Sequence, residues 1–270
     1  MDLTLHIGAH RTGSTLIDTA LTATVAAHPG CGVAVWGPRR LRDMPGFQAT
    51  TRLLDAHTDP VSKDAAIVLD ALASQFAAEV VRVRTDGARA LILSEENFIG
   101  SMGNNFRTGT FYGDVARRLA AFDSVLPMSP RRVALGVRDY GSVWTSAVHY
   151  LPQVGKEAPD LASARAVLMN DKRGWPDLVA AIKSVWPDSG IVMWRQEDLA
   201  GHAAAICADL LALPRDQIVL PEGRVNARTA RTPRPEVFSA ADRKHLTHRY
   251  NRHVRRMEED PVVQWLGVAA

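Results

Sequence analysis

Leu3-Thr4-Leu5-His6-Ile7-Gly8-Ala9-His10-Arg11-Thr12-Gly13-Ser14-Thr15 stands at the head of the chain and decides how the rest is read. The apolar run ending at Ile7 predicts a strand, and a helical pattern begins near Gly13, so Gly8 and Gly13 bracket the turn between them. Glycine lets the backbone turn tightly and present successive N–H groups, while the first turn of a helix carries the positive end of its dipole. A strand, turn and helix joined in this way make an anion cradle suited to phosphate or sulfate. A plain strand-to-helix connection would use the same glycines and is the alternative.

Outward from that corner, apolar stretches near 2–7, 32–36, 89–94, 132–137 and 190–194 predict strands. Helical patterns fall near 13–27, 62–84, 111–123, 142–150, 161–185 with a break near Gly174, 197–213 and 239–258. This βα alternation predicts a parallel sheet. The stretches 37–60, 98–110 and 151–160, richer in Gly, Pro and polar residues, read as loops at the strand ends, where ligands of such sheets bind. With 270 residues, 46% hydrophobic and 23% charged, the chain can bury one sizeable core, so a single domain over 1–270 is expected, closing on a helical segment about 239–259.

The formal net charge is only +3 and the cations are dispersed, which argues against a nucleic-acid partner. The densest run, Arg224 to Arg234, is interrupted by Pro233, and Arg243 to Arg256 alternates with apolar residues as an amphipathic helix does. Cys31 and Cys207 lie far apart without metal-ligand spacing and read as reduced packing residues. No apolar run approaches the roughly 18 residues of a membrane span, and the opening residues lack the pattern of a secretory signal, so no membrane span and a cytoplasmic location are expected.

The spacing Gly8-x4-Gly13 is that of a Walker A loop, but Ser14 stands where a nucleoside triphosphatase has Lys, and the cation lies inside the loop at Arg11. In this respect HIGAHRTGST resembles the 5′-phosphosulfate loop of sulfotransferases, commonly PKTGTT, with Arg11 at the Lys position. The resemblance implies that Arg11, Thr12, Gly13, Ser14 and Thr15 hold the 5′-phosphate and sulfuryl group of 3′-phosphoadenosine 5′-phosphosulfate (PAPS), with Arg11 as the catalytic cation. Guanidinium stabilises charge as ammonium does, but stays protonated.

A second segment is similar to the same family. The apolar run Val133-Ala134-Leu135-Gly136-Val137 leads into Arg138-Asp139-Tyr140 and a helical stretch holding Ser146. In sulfotransferases Arg and Ser at these places hold the 3′-phosphate, which the resemblance assigns to Arg138 and Ser146. A guanidinium forks onto phosphate with paired hydrogen bonds. A helix-entry salt bridge of Arg138 with Asp139 or another surface acid is the alternative. Ile191 to Leu199 resembles the strand-plus-RYEDL segment of bacterial members, with Glu197 and Asp198 expected to cap or charge-match the following helix. Arg224-Val225-Asn226-Ala227-Arg228-Thr229 resembles the family's late loop over the nucleotide, implying cofactor contacts from Arg224 and Asn226, against the alternative of a solvated basic loop. The terminal helix around Tyr250-Asn251 is also similar to bacterial members.

The resemblance implies a three-layer P-loop-type α/β fold, a central parallel sheet flanked by helices, and an enzyme passing a sulfuryl group from PAPS to a hydroxyl or amine of a small-molecule or carbohydrate acceptor. No metal is demanded. Glu96, in Ser94-Glu95-Glu96-Asn97-Phe98 after a strand, is the candidate base, against the alternative that Glu95 or Glu96 caps the next element or pairs with an Arg. His10 and His149 are rival bases. Phe98, Phe106, Phe111, Tyr112 and Trp144 either line the acceptor pocket or belong to the core. Competing functions are a P-loop nucleotide kinase or triphosphatase, disfavoured by Ser14, and a non-catalytic nucleotide-binding protein of the same fold, which Arg11 would suit.

Overall fold

The computed structural model describes residues 1–56, 62–157, 160–222 and 236–267. Strands β1 (Asp2–His6), β2 (Val33–Trp36), β3 (Ala90–Ser94), β4 (Arg132–Val137), β5 (Gly190–Arg195) and β6 (Val263–Trp265) form one sheet in the order β2-β3-β1-β4-β5-β6. Every neighbouring pair is parallel. Strands covered on both faces must be apolar throughout, which is why β1, β3, β4 and β5 were visible as plain apolar runs. The chain leaves β1 toward β2 and β3 on one side and later toward β4 and β5 on the other, so a crevice opens beside the C-terminal end of β1.

The helices are α1 (Ser14–Ala27), α2 (Pro38–Arg42), α3 (Pro45–Asp55), α4 (Lys63–Thr85), α5 (Met102–Thr108), α6 (Val115–Asp123), α7 (Tyr140–Tyr150), α8 (Leu161–Asn170), α9 (Trp175–Val185), α10 (Leu199–Leu211) and α11 (Ala240–Glu258). Ile17 and Leu21 of α1 and Ala203, Ile206 and Cys207 of α10 cover one face of the sheet, over Ile92, Ala134 and Trp194. On the other face Leu5, Leu93, Leu135 and Met193 meet Phe76 of α4, Phe122 of α6 and Ile182 of α9. The result is the expected three-layer α/β arrangement.

Three corrections concern the segments read as loops. Residues 37–60 contain α2 and α3, each opened by a proline in its first turn, where a missing N–H costs nothing and the fixed φ suits the helix. Residues 98–110 contain α5, capped by Ser101, and Leu151–Val154 is a 3₁₀ turn. The pattern at 111–123 becomes helical only at Val115. β6, three residues on the sheet edge, had no counterpart among the expected strands.

Tyr140 is fully buried and holds the layers together. Its hydroxyl accepts from the Trp175 backbone N–H at 2.8 Å and lies 2.8 Å from His253 Nδ1, joining α7, α9 and α11. α11 begins with a reciprocal cap between Ser239 and Asp242 and buries Leu246, Tyr250, Val254 and Met257 along one stripe. Cys207 is buried as expected, but Cys31 is only half-buried, and both are free thiols.

Candidate functional site

The corner after β1 takes its shape from two residues with positive φ. Gly13 caps α1 at φ 90°, and a side chain there would run into Leu199 of α10, so glycine is required twice over. Arg11 adopts φ 66°, a left-handed conformation uncommon for a residue with a Cβ. α1 carries no acid in its first turn, leaving its positive end and first N–H groups available to an anion.

That backbone twist sends Arg11 across to α7. Its Nε donates to Ser146 Oγ at 2.9 Å, and its guanidinium lies 4.6 Å above the Tyr150 ring. Arg138, at the end of β4, donates from Nη1 to the Arg11 carbonyl at 2.8 Å. The two anion sites expected from sequence are therefore one connected unit, with Arg11 as the link. Arg11, Gly13, Ser14, Thr15 and Arg138 all line a cleft of about 570 Å³, with Glu96 and His10 on its wall. Thr12 is different: it is buried, and its hydroxyl donates to the Ala9 carbonyl at 2.5 Å, closing the loop on itself. Ser146 meets the cleft through Arg11. Arg224 and Asn226 lie outside the described residues.

Asp139 does not pair with Arg138 in a helix-entry salt bridge. Its carboxylate accepts from the Ser142 N–H at 2.9 Å, capping α7, and from the Thr247 hydroxyl at 2.8 Å. Glu197 likewise departs from the expected cap: it accepts from the Asp139 N–H at 2.9 Å and from the Tyr250 hydroxyl at 3.1 Å, tying the β5 exit to α7 and α11. Asp198 occupies the N-cap of α10 without a side-chain bond.

The adjacent glutamates after β3 divide the two readings between them. Glu95 is buried and structural, accepting from Arg42 at 2.8 and 2.7 Å and from the Asn97 N–H at 2.9 Å. Burial pushes its carboxyl pKa up, and the Arg42 guanidinium opposes that. Glu96 opens the following 3₁₀ turn and faces the cleft, 26% exposed, with His10 Nε2 and Arg42 Nη2 each 3.6 Å from its Oε1. The Ser14 hydroxyl lies 3.5 Å from Glu96 Oε2, so the candidate base adjoins the anion cradle directly. Buried Arg118 of α6 steadies this turn, donating to the Asn97 carbonyl at 2.9 Å and to Asp55 at 2.8 Å. His149 is not among the cleft-lining residues. Phe98, Phe111, Tyr112 and Trp144 are core residues, whereas Phe106 borders a separate shallow pocket beside Lys156.

Among the cleft-lining residues that sequence reading missed are Arg39 and Arg42 on α2, Asp18 on α1 and Tyr150 at the end of α7. The available signal for α2 was Gly37-Pro38, a helix start mistaken for a loop. His6 and Ser94, the last residues of β1 and β3, are register partners, and His6 Nδ1 sits 2.9 Å from Ser94 Oγ. Burial pushes the His6 ring down to about 4, so it is neutral at physiological pH.

Burial also pushes the Asp18 carboxyl up to about 6, against a hydrogen bond from Ser94 and the charge of Arg42. A carboxyl that holds its proton more tightly in the folded state favours folding below its unfolded pKa, and that contribution is lost as pH rises through the folded value. Asp18→Asn is therefore expected to stabilise the fold at neutral pH by about 1–2 kcal/mol after allowance for solvent screening. The gain should vanish toward about pH 4, as paired urea titrations at the two pH values would show. An equal gain at both would remove ionisation as its cause.

No protein-family model and no curated protein sequence matches the chain. Among solved structures, the fold is similar to that of a sulfotransferase from Alicyclobacillus acidocaldarius, with a TM-score of 0.51 over 96% of this chain and 94% of that one, at 16% sequence identity. At that identity the likeness is one of fold.

Proposed function

We propose that this chain is a sulfotransferase that moves a sulfuryl group from PAPS to a hydroxyl or amine of a small-molecule or carbohydrate acceptor. The observation that carries the reading is the single cleft in which the α1 anion cradle, Arg11, Arg138 and the Glu96 carboxylate meet. The residues suit the donor's chemistry: a cradle of backbone N–H groups and Arg11 for the 5′-phosphosulfate, and the Arg138 fork for the 3′-phosphate. In the transfer, a bond forms from the acceptor oxygen or nitrogen to sulfur while the bond from sulfur to the bridging oxygen breaks, its electron pair leaving on the 5′-phosphate. Glu96 takes the acceptor's proton, and Arg11 with the helix end stabilises the leaving charge. Arg11 supplies charge without a proton, which suffices for a leaving group that departs as an anion. Arg224 and Asn226 are proposed as further contacts to the nucleotide.

Calorimetric titration with adenosine 3′,5′-bisphosphate tests the assignment, with adenosine 5′-monophosphate and magnesium ATP as controls. Binding that requires the 3′-phosphate is the expected result and would justify screening acceptors with PAPS. Absence of binding, or a preference for magnesium ATP, would overturn the reading in favour of another anion-binding α/β protein.

A further inference from the structure

His10 is left without a task by this scheme, yet it is held between Tyr112 and Glu96. It is buried, and both its backbone N–H and its ring Nδ1 face Tyr112 Oη at 3.1 Å. The opposite ring nitrogen, Nε2, faces Glu96 Oε1 at 3.6 Å. Among the described residues, the further hydrogen-bond partner of the phenol oxygen is Met102 Sδ at 3.8 Å.

These contacts determine where the protons sit. The backbone N–H can only donate, so it occupies one lone pair of Tyr112 Oη. The phenol proton then goes to either the Nδ1 lone pair or the thioether sulfur, and sulfur is the weaker acceptor. An imidazole that accepts at Nδ1 carries its proton at Nε2, the atom turned toward Glu96. The other tautomer would set a nitrogen lone pair against the carboxylate. Burial lowers the His10 pKa, Arg42, Lys156 and Arg11 act in the same direction, and Glu96 opposes them. The ring is thus a neutral donor rather than a base.

Tyr112 is itself held in place. It adopts φ 48°, its N–H donates to Asn105 Oδ1 at 3.1 Å, and its ring packs edge-on against Phe111. A tyrosine in the left-handed region is kept there only by strong surrounding constraints. The 3.6 Å contact with Glu96 is looser than a formed hydrogen bond, as catalytic contacts commonly are before substrate arrives.

We infer that His10, held in its Nε2–H tautomer by Tyr112, is a positioning residue for Glu96, keeping that carboxylate oriented to receive the acceptor's proton. The inference deepens the proposed sulfuryl transfer and rests on it for what Glu96 does in turnover. The coupling of Tyr112, His10 and Glu96 can be tested without any acceptor.

In the full chain labelled with ¹⁵N-histidine, and with His10 assigned by its loss in His10→Gln, the ring is expected to show the neutral Nε2–H pattern from about pH 6 to 8. Tyr112→Phe, which keeps the buried ring, should convert it to a mixture of tautomers. An Nδ1–H or doubly protonated ring in the wild type would overturn the inference. The His10 Nε2 and Nε2–H resonances should move in Glu96→Gln, because the carboxylate they face becomes a neutral amide. The Glu96 carboxyl ¹³C resonance, assigned by its loss in Glu96→Gln, should likewise move in His10→Ala and return in His10→Gln, whose amide N–H can take the place of Nε2–H. Resonances left unmoved by these substitutions would overturn the positioning role. Should adenosine 3′,5′-bisphosphate fail to bind, the sulfotransferase reading falls while these spectra still decide the coupling. If it binds and the resonances stay, the positioning role alone falls.

Discussion

Glu96→Gln is expected to slow sulfuryl transfer by about 10²–10⁴-fold, the usual worth of a general base, while adenosine 3′,5′-bisphosphate affinity changes by less than about twofold. Glutamine keeps the volume and a carbonyl to accept from Ser14, whose hydroxyl lies 3.5 Å away, so the wall of the cleft should persist. What is lost is the group that can hold the acceptor's proton. Release of adenosine 3′,5′-bisphosphate from PAPS, followed with whichever acceptor the screen returns, reads the rate, and calorimetry reads the affinity. Undiminished turnover would eliminate Glu96 as the base. A parallel fall in affinity would instead make it a binding residue, because a loss confined to the chemical step leaves ground-state binding alone.

Arg138→Ala is expected to weaken adenosine 3′,5′-bisphosphate binding by about 100-fold, or roughly 2–3 kcal/mol, in the range of charge-assisted hydrogen bonds to a phosphate. A smaller loss for adenosine 5′-monophosphate should accompany it, because the same guanidinium donates to the Arg11 carbonyl at 2.8 Å and so steadies the 5′ cradle. Arg138→Lys should recover only part of the affinity, since a point charge cannot serve a phosphate and that carbonyl with a planar fork. The side chain is half-buried at the cleft and outside the core, so the thermal midpoint should hardly move. Equal affinity of wild type and Arg138→Ala would remove Arg138 from the 3′-phosphate site.

The α/β class and five of the six strands were legible because a parallel strand buried on both faces has to be an uninterrupted apolar run. The anion corner was legible because Gly8 and Gly13 followed such a run and preceded a helical pattern. α2, α3 and α5 escaped because α2 and α3 open on prolines and α2 and α5 are short, so their polar stretches resembled turns. The three-residue edge strand β6 is too short to show a period of its own. Of the site, Arg11, Ser14, Arg138 and Glu96 could be named from local motifs, whereas Arg42 and Asp18 could not.

By itself, then, the sequence determined five of the six strands, the helices with a clear apolar period and which residues end at the C-terminal edge of the sheet, because these follow from local periodicity and from the glycines that a tight turn requires. Tertiary structure decided what those residues do to one another. Arg11 reaches Ser146, 135 positions away, only because β1 and β4 are neighbours in the sheet. Glu95 became the buried partner of Arg42 and Glu96 the exposed wall of the cleft, although the two are adjacent and chemically alike. Tyr112 meets His10 across 102 positions. Hydrogen bonds and charge effects act over a few ångströms, and the folded chain sets those separations.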